Sequence, residues 1–420
     1  MRKALVGTLA TLVVTFGVAT LGRASGQSGA EDTSVPTWTR DVGPLLADSC
    51  MSCHRSGEVA PMSLLSYEEV RPWAKSIRQV VRERIMPPWK ADPRYGRFSN
   101  DRRLSSEQVR TIVEWVSADA PRGEGEFTSP VFVEGWALSA ELGPPDHIFE
   151  MEEPYRVSAG GPDHFPHITA PTSHAEDIWA RAVEMRGNPR VVHHGSVSAV
   201  QADGSPLYVG NIIPGLHPHI LPQGAAKVIP AGSTLQFDMH YHPSGQEEFD
   251  RAEVGVWLAR YPITDVLRDG LVRDREIEIP PYDPNYESVA EMEFDGDVEL
   301  LSFEPHMHYR GKDMMCEVIY PDGREEILLS VPDYDFNWQL SYYLAEPVPL
   351  TREAKLRVTA HFDNSENNPR NPNPSLKVVY GQDSRDEMME GWFRYRVKRD
   401  EPIIPPHTPA SQSEGSLPRP

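Results

Sequence analysis

At 420 residues the chain is long enough for about three domains of ordinary size, each able to bury its own core. Its 62 acidic against 41 basic residues give a formal charge of -21, which repels nucleic acid and anionic lipid headgroups and excludes both as partners. Only three cysteines occur, with Cys50 and Cys53 close together and Cys316 left over, so no disulfide framework is expected.

Arg2 and Lys3, the apolar stretch from Ala4 to Leu21 and the small residues Ala24, Ser25 and Gly26 read as a secretory signal over 1–26. The mature protein is therefore expected outside the cytoplasm, in a bacterial periplasm. The apolar stretch is long for a cleaved signal and short for a membrane span, so an uncleaved N-terminal anchor stays open as the only membrane link. A polar, flexible segment follows over 27–37.

Residues 38–123 read as helical. Val42, Leu45 and Leu46 form an apolar stripe, and Ser66 with Glu69 makes a capping box ahead of Val70, Trp73, Ile77 and Val80, with Pro72 able to shift or kink the start. Ser105 and Gln108 cap a further helix carrying Val109, Ile112, Val113 and Val116 on one face, and Pro121 and Gly123 stop it.

Inside this segment Cys50-Met51-Ser52-Cys53-His54 is a CxxCH sequence. Two thiols at this spacing add to the haem vinyl groups while the histidine ligates the iron, so one covalent haem c is expected. Met86, on a loop stiffened by Pro87 and Pro88, is the expected second axial ligand; Met62, only eight residues after His54, is its competitor. A thioether opposite a histidine suits an electron carrier and leaves no iron position open to oxygen.

After a linker over 124–134 the texture changes to short apolar runs between Pro, Gly and Asn/Asp clusters, such as 235–241, 254–258, 300–303 and 355–362, which reads as antiparallel β-structure. The segment 173–185 fits either a short helix or an extended run. A Pro-rich acidic stretch, 274–285, divides the region into halves over 135–272 and 273–398, and 399–420 reads as a disordered tail.

Four groups of possible ligands stand out in the β region. His193 and His194 are adjacent, so they share a metal only where the strand is irregular, a bend that Gly195 permits. His240 and His242 share a strand face. His306 and His308 have the i, i+2 spacing of a two-point clamp, and Met388 adds a neutral thioether that suits copper and that zinc rarely takes. His147, His164, His167, His174, His217, His219, His361 and His407 read as ordinary surface or core histidines.

In order and spacing these elements resemble the copper type II, ascorbate-dependent monooxygenases, the family of the peptidylglycine α-hydroxylating and dopamine β-monooxygenases. Residues 305–312 and 361–373 also resemble bacterial members that carry a cytochrome in front. The resemblance implies a multidomain fold: a small all-α class I cytochrome c domain over 38–123, then two antiparallel β-sandwich (jelly-roll) domains. It implies two copper ions, one for electron transfer held by His193, His194 and His240, and one that activates dioxygen held by His306, His308 and Met388. It chooses His240 over His242.

The implied activity is hydroxylation of a C–H bond of a small organic substrate with O2, using electrons that pass from a periplasmic donor through the haem; ascorbate need not be that donor. Glu304, Glu390 and Trp392 stand where the peptide-acting enzyme clamps a carboxylate with Arg, Asn and Tyr, so a pocket lined by them suits a neutral or cationic substrate, unless both glutamates point to solvent. The animal enzymes are heavily disulfide-bonded in this module, whereas here packing must replace the crosslinks. Two other readings stand beside this one: a non-catalytic haem and copper electron-transfer or copper-handling protein, and a β scaffold that merely docks a cytochrome.

Overall fold

Both capping boxes form. Ser66 Oγ accepts from Glu69 N (3.3 Å) while Glu69 Oε2 accepts from Ser66 N (2.9 Å), and Ser105 with Gln108 repeats the pattern at 3.1 and 2.8 Å. Pro72 splits the first of these helices: Tyr67–Val70 passes through a 3-10 turn, Arg71–Trp73, into Ala74–Arg82, because proline has no N–H for the α ladder. Val42, Leu46, Ile77, Val81, Ile112 and Trp115 bury their faces together.

This computed structural model describes residues 35–408 except Val59, 133–134, Ser173 and 214–217. The expected signal, most of the 27–37 segment, His217 and residues 409–420 lie outside the described residues. Among those described, no helix is long and apolar enough to cross a membrane.

Seven strands position the site: β1 (Val192–Val200), β2 (Pro206–Ile212), β3 (Ala225–Ile229), β4 (Thr234–Tyr241), β5 (Ile263–Asp274), β6 (Val298–His306) and β7 (Met389–Ile403). One four-stranded sheet runs His167–Pro171, β4, β1, β2. An eight-stranded sheet runs His147–Glu150, Glu253–Leu258, Ile178–Arg186, β3, β5, β7, β6, Tyr342–Leu350. A third, of four strands, is formed by Tyr286–Glu293, Lys355–Phe362, Gly311–Ile319 and Glu325–Val331. Alternate residues fill two β cores, one around Val197, Phe237 and Val254, the other around Phe303, Cys316, Val358 and Phe393.

The expected fold class is not what forms. Among the described residues strand far outweighs helix, the longest helix has 12 residues, and no distinct all-α class I cytochrome c domain stands apart. The described residues from Pro36 onward group as one compact unit. The physical reason lies in residues 89–99, which leave the helices and enter the β region: Trp89 and Ala91 are buried in the second β core, Asp92 N donates to Ser330 O (2.8 Å), and Ser99 N donates to Tyr343 O (2.8 Å).

Nor are there two separate antiparallel jelly-roll sandwiches. The eight-stranded sheet takes strands from both halves, which meet where β5 pairs antiparallel with β7; β3 pairs in parallel with β5, Ala225 opposite Asp265 and Ala226 opposite Val266. A seam at the Pro-rich stretch would leave two open sheet edges with unpaired N–H and C=O groups; joining them satisfies both.

Two smaller points follow. Of the segment left open between helix and extended run, residues 178–185 lie in a strand, Ile178–Arg186. Residues 399–403, expected in a disordered tail, instead continue β7.

Candidate metal centre

β1 and β4 pair antiparallel with His194 opposite His240, and the register shifts between Val192 and His194. That irregularity lets two adjacent residues turn their rings to one point, as a regular strand would not. Gly195 serves by its lack of bulk: a Cβ there would lie 2.7 Å from Met239 Sδ.

Ring centroids of His193 and His194 each lie 4.7 Å from that of His240, and the Nδ1 atoms of His193 and His194 face each other at 3.0 Å. One ligand atom from each of the three falls within 4.8 Å of the others. Burial, reinforced by the neighbouring His240, lowers His193 to about 4 and holds His194 well below the ordinary imidazole range. His193 and His194 are thus neutral donors at physiological pH, the form a metal needs.

His240 and His242 part company in the structure. His240 is 3% exposed, whereas the His242 side chain is 69% exposed and lies outside the triad. Asp163 bridges them, accepting from His240 Nε2 (2.7 Å) and His242 Nδ1 (2.8 Å). Burial opposes its charge, but the two histidine bonds prevail and hold its carboxyl below the usual range. With Nε2 committed, His240 has Nδ1 left for a metal, the carboxylate–histidine–metal pattern.

The second set lies where β6 meets β7. His306 pairs in register with Glu390 and Glu304 with Trp392, so one face carries Glu304, His306, Glu390 and Trp392, and Met388 sits two residues before Glu390 with 9% exposure. His306 Nδ1 donates to Gln339 Oε1 (2.6 Å) and His308 Nδ1 to Asp386 O (3.3 Å), leaving each Nε2 for a ligand. Burial and the adjacent His306 lower His308 to about 3. Glu387 fixes the turn beneath, accepting from the backbone N–H groups of His308 (2.9 Å) and Arg310 (2.6 Å).

The two sets meet. The His194 and His306 rings are 6.1 Å apart, and Phe336 lies against His193 (5.3 Å), His240 (6.2 Å) and His308 (6.1 Å). Glu304 and Glu390 do not point to solvent. Glu304 accepts from Asn211 Nδ2 (3.0 Å) and Ser341 Oγ (2.5 Å), and burial raises its pKa. Glu390 accepts from Tyr380 Oη (2.9 Å) and Trp392 Nε1 (3.0 Å), with Arg273 at 3.9 Å.

Cys50, Cys53 and His54 share one tight turn, in which Cys53 N and His54 N both donate to Cys50 O at 3.2 and 3.0 Å. The cysteines are free, and burial, with Cys53 beside it, pushes the Cys50 thiol up to about 12. They open onto a cavity of about 730 Å³, within the ~300–1,000 Å³ of cofactor sites, whose walls include Met86 and Trp89. Met62 instead packs on the helical core. Burial lowers His54 against a bond that its ring donates to the Met62 backbone, so its imidazole is a neutral ligand, and Trp89 Nε1 is buried with no hydrogen-bond partner among the described residues. Two free thiols and a neutral histidine on one large cavity fit a covalent haem. The same cavity is also lined by His193, Trp338 and Tyr343.

The other described histidines engage local partners, such as His167 with Asp238, His174 with Pro230 O, and His361 with Asp313. Cys316 is a core thiol. Sequence reasoning missed Asp163, Gln339, Phe336 and Glu387. Only Glu387 carried a signal, lying beside Met388.

No family model and no curated protein matches the chain. Solved structures with some likeness include the major capsid protein P2 of bacteriophage PM2 (10% identity, 61% of this chain and 99% of that one, TM-score 0.28). A putative alpha-L-fucosidase from Bacteroides ovatus has 9% identity over 69% of this chain and 44% of its own, TM-score 0.18. Allantoicase has 8% identity over 47% and 75%, TM-score 0.18. Likeness this slight carries no argument about function, and none of these is a copper monooxygenase.

Proposed function

We propose that the chain is an exported copper-dependent monooxygenase that hydroxylates a C–H bond of a small organic substrate, with electrons supplied through a covalently bound haem c. The observation that supports this best is the convergence of two ligand sets: three imidazoles in one, and two imidazoles followed by a buried thioether in the other, with rings 6.1 Å apart. Sulfur beside imidazole favours copper over zinc. Two coppers bound here would hold the two electrons for R–H + O2 + 2 e⁻ + 2 H⁺ → R–OH + H2O, chemistry that side chains alone do not supply.

The chain's own residues do the rest. Asp163 and Gln339 lock two of the rings by their outer nitrogens, and Glu387 holds the His308 backbone. Cys50 and Cys53 would tether the haem and His54 would ligate it, with Met86 lining the same cavity. On the substrate side, Arg273 balances Glu390, so any repulsion of an anionic substrate comes from Glu304.

The test is metal and haem analysis of protein made in an oxidising compartment, followed by rapid mixing of its reduced form with oxygen. One haem and two coppers per chain, with oxygen consumed as substrate is oxidised, are expected. Copper near zero overturns the reading, and oxygen uptake without oxidised product favours a non-catalytic electron-transfer protein.

A further inference from the structure

We infer that His193 is the contact through which an electron enters the three-histidine metal site from the haem cavity. The inference rests on the proposed function and adds a route to it. Cys50, Cys53, His54 and Met86 line the same cavity of about 730 Å³ as His193. Among the described residues, His193 is the one imidazole of the five-ring cluster on that wall; His194, His240, His306 and His308 are absent from it.

His193 faces two ways. Its Nδ1 meets His194 Nδ1 at 3.0 Å, its ring lies 4.7 Å from His240, and it stacks on Phe336 at 5.3 Å. A group tethered at Cys50 and Cys53 that fills the cavity would therefore reach a wall to which a residue of the three-histidine set contributes. The step would be a single electron: a ferrous haem held at Cys50, Cys53 and His54 would become ferric and a cupric ion held at His193, His194 and His240 would become cuprous, with no proton or bond exchanged. The order follows from placement. The His306, His308 and Met388 set is reached from the first set across the 6.1 Å between His194 and His306, not from the cavity.

The experiment uses the full chain with haem and copper bound, kept free of oxygen. The oxidised protein is mixed with a substoichiometric fast one-electron reductant, and the haem bands are followed by stopped flow alongside the cupric EPR signal. The haem is expected to reduce and then reoxidise in a first-order phase whose rate does not change with protein concentration, with one cupric signal lost per haem reoxidised. His193→Ala should lose that phase, and His306→Ala should keep it while losing hydroxylation. A concentration-dependent phase in the unaltered protein overturns the inference whatever the variants do, and so does a phase that survives His193→Ala or vanishes in His306→Ala. If haem and copper are both bound when this happens, the proposed function survives. If either is absent, both fall.

Discussion

Asparagine in place of Asp163 probes the one contact that selects which nitrogen of His240 faces the metal. The carboxylate takes His240 Nε2 at 2.7 Å and His242 Nδ1 at 2.8 Å, with its own side chain 15% exposed. An amide of the same shape has one acceptor and no charge, so one of the two bonds must fail and the other weakens. His242 is 69% exposed and can turn to water, so its bond is worth little; His240 is 3% exposed and cannot. A hydrogen bond to a charged group contributes ~1.5–3 kcal/mol. Taking about 2 kcal/mol gives roughly a thirtyfold loss of copper affinity at the three-histidine site, inside the ~10–100-fold range for groups behind a metal ligand. Competition against chelators of graded affinity, with haem content as a check on folding, measures it. His242→Ala should change affinity by less than about 0.5 kcal/mol. Affinity in Asp163→Asn equal to the unaltered protein, or an equal loss in His242→Ala, refutes the reasoning.

Met388→Ala should abolish hydroxylation and lower bound copper towards one per chain with the haem spectrum intact; unchanged turnover removes Met388 from the site. Replacing both Cys50 and Cys53 by serine should leave haem that acidified solvent extracts, read as loss of haem absorbance on a denaturing gel, whereas haem that stays attached refutes the assignment. Lys227, 2.7 Å from Asp269, is lowered from 10.5 to about 8 by burial and by nearby Arg394. Between those pH values the unfolded chain holds a proton that the folded chain has lost, so this group adds stability as pH rises, by up to about 1.4 kcal/mol per pH unit. Lys227→Met should therefore gain less stability than the unaltered protein from pH 8 to about pH 10 in chemical denaturation, and equal gains contradict the assignment.

What could be read from the sequence was local. Ser66 with Glu69 and Ser105 with Gln108 announce helix starts because every atom of a capping box lies within four residues. The bend at His193 could be demanded in advance, since adjacent rings on a flat strand diverge. His242 could not be separated from His240 by periodicity, because exposure depends on where β4 ends and on Asp163, a residue about 80 positions upstream with no pattern to mark it. The independence of the helical segment failed for a similar reason: Trp89 sits beside Met86 in sequence, yet its ring packs at 4.9 Å on Tyr342 in the β core. Helical periodicity says which face is buried and not what buries it.

The joining of the two halves also explains how ligands on different sheets keep a fixed separation. Asp269 on β5 stands opposite Arg394 on β7 in register, and Lys227 reaches Asp269 from β3, so a buried Lys–Asp–Arg triad with contacts of 2.7 and 2.9 Å spans three neighbouring strands at the seam. Three charges withdrawn from water gain little net stability, but removing one partner is severe, at ~3–5 kcal/mol, so a slip of one strand past another is disfavoured more strongly than apolar contacts alone would achieve. β6 pairs with β7 and carries His306, while Glu304 on β6 takes Asn211 from the end of β2, beside the strand that bears His193 and His194. The register that the triad fixes is thus passed on to the 6.1 Å between His194 and His306. In this arrangement the distance between the two ligand sets is a property of hydrogen-bonded strands rather than of two bodies facing across a gap.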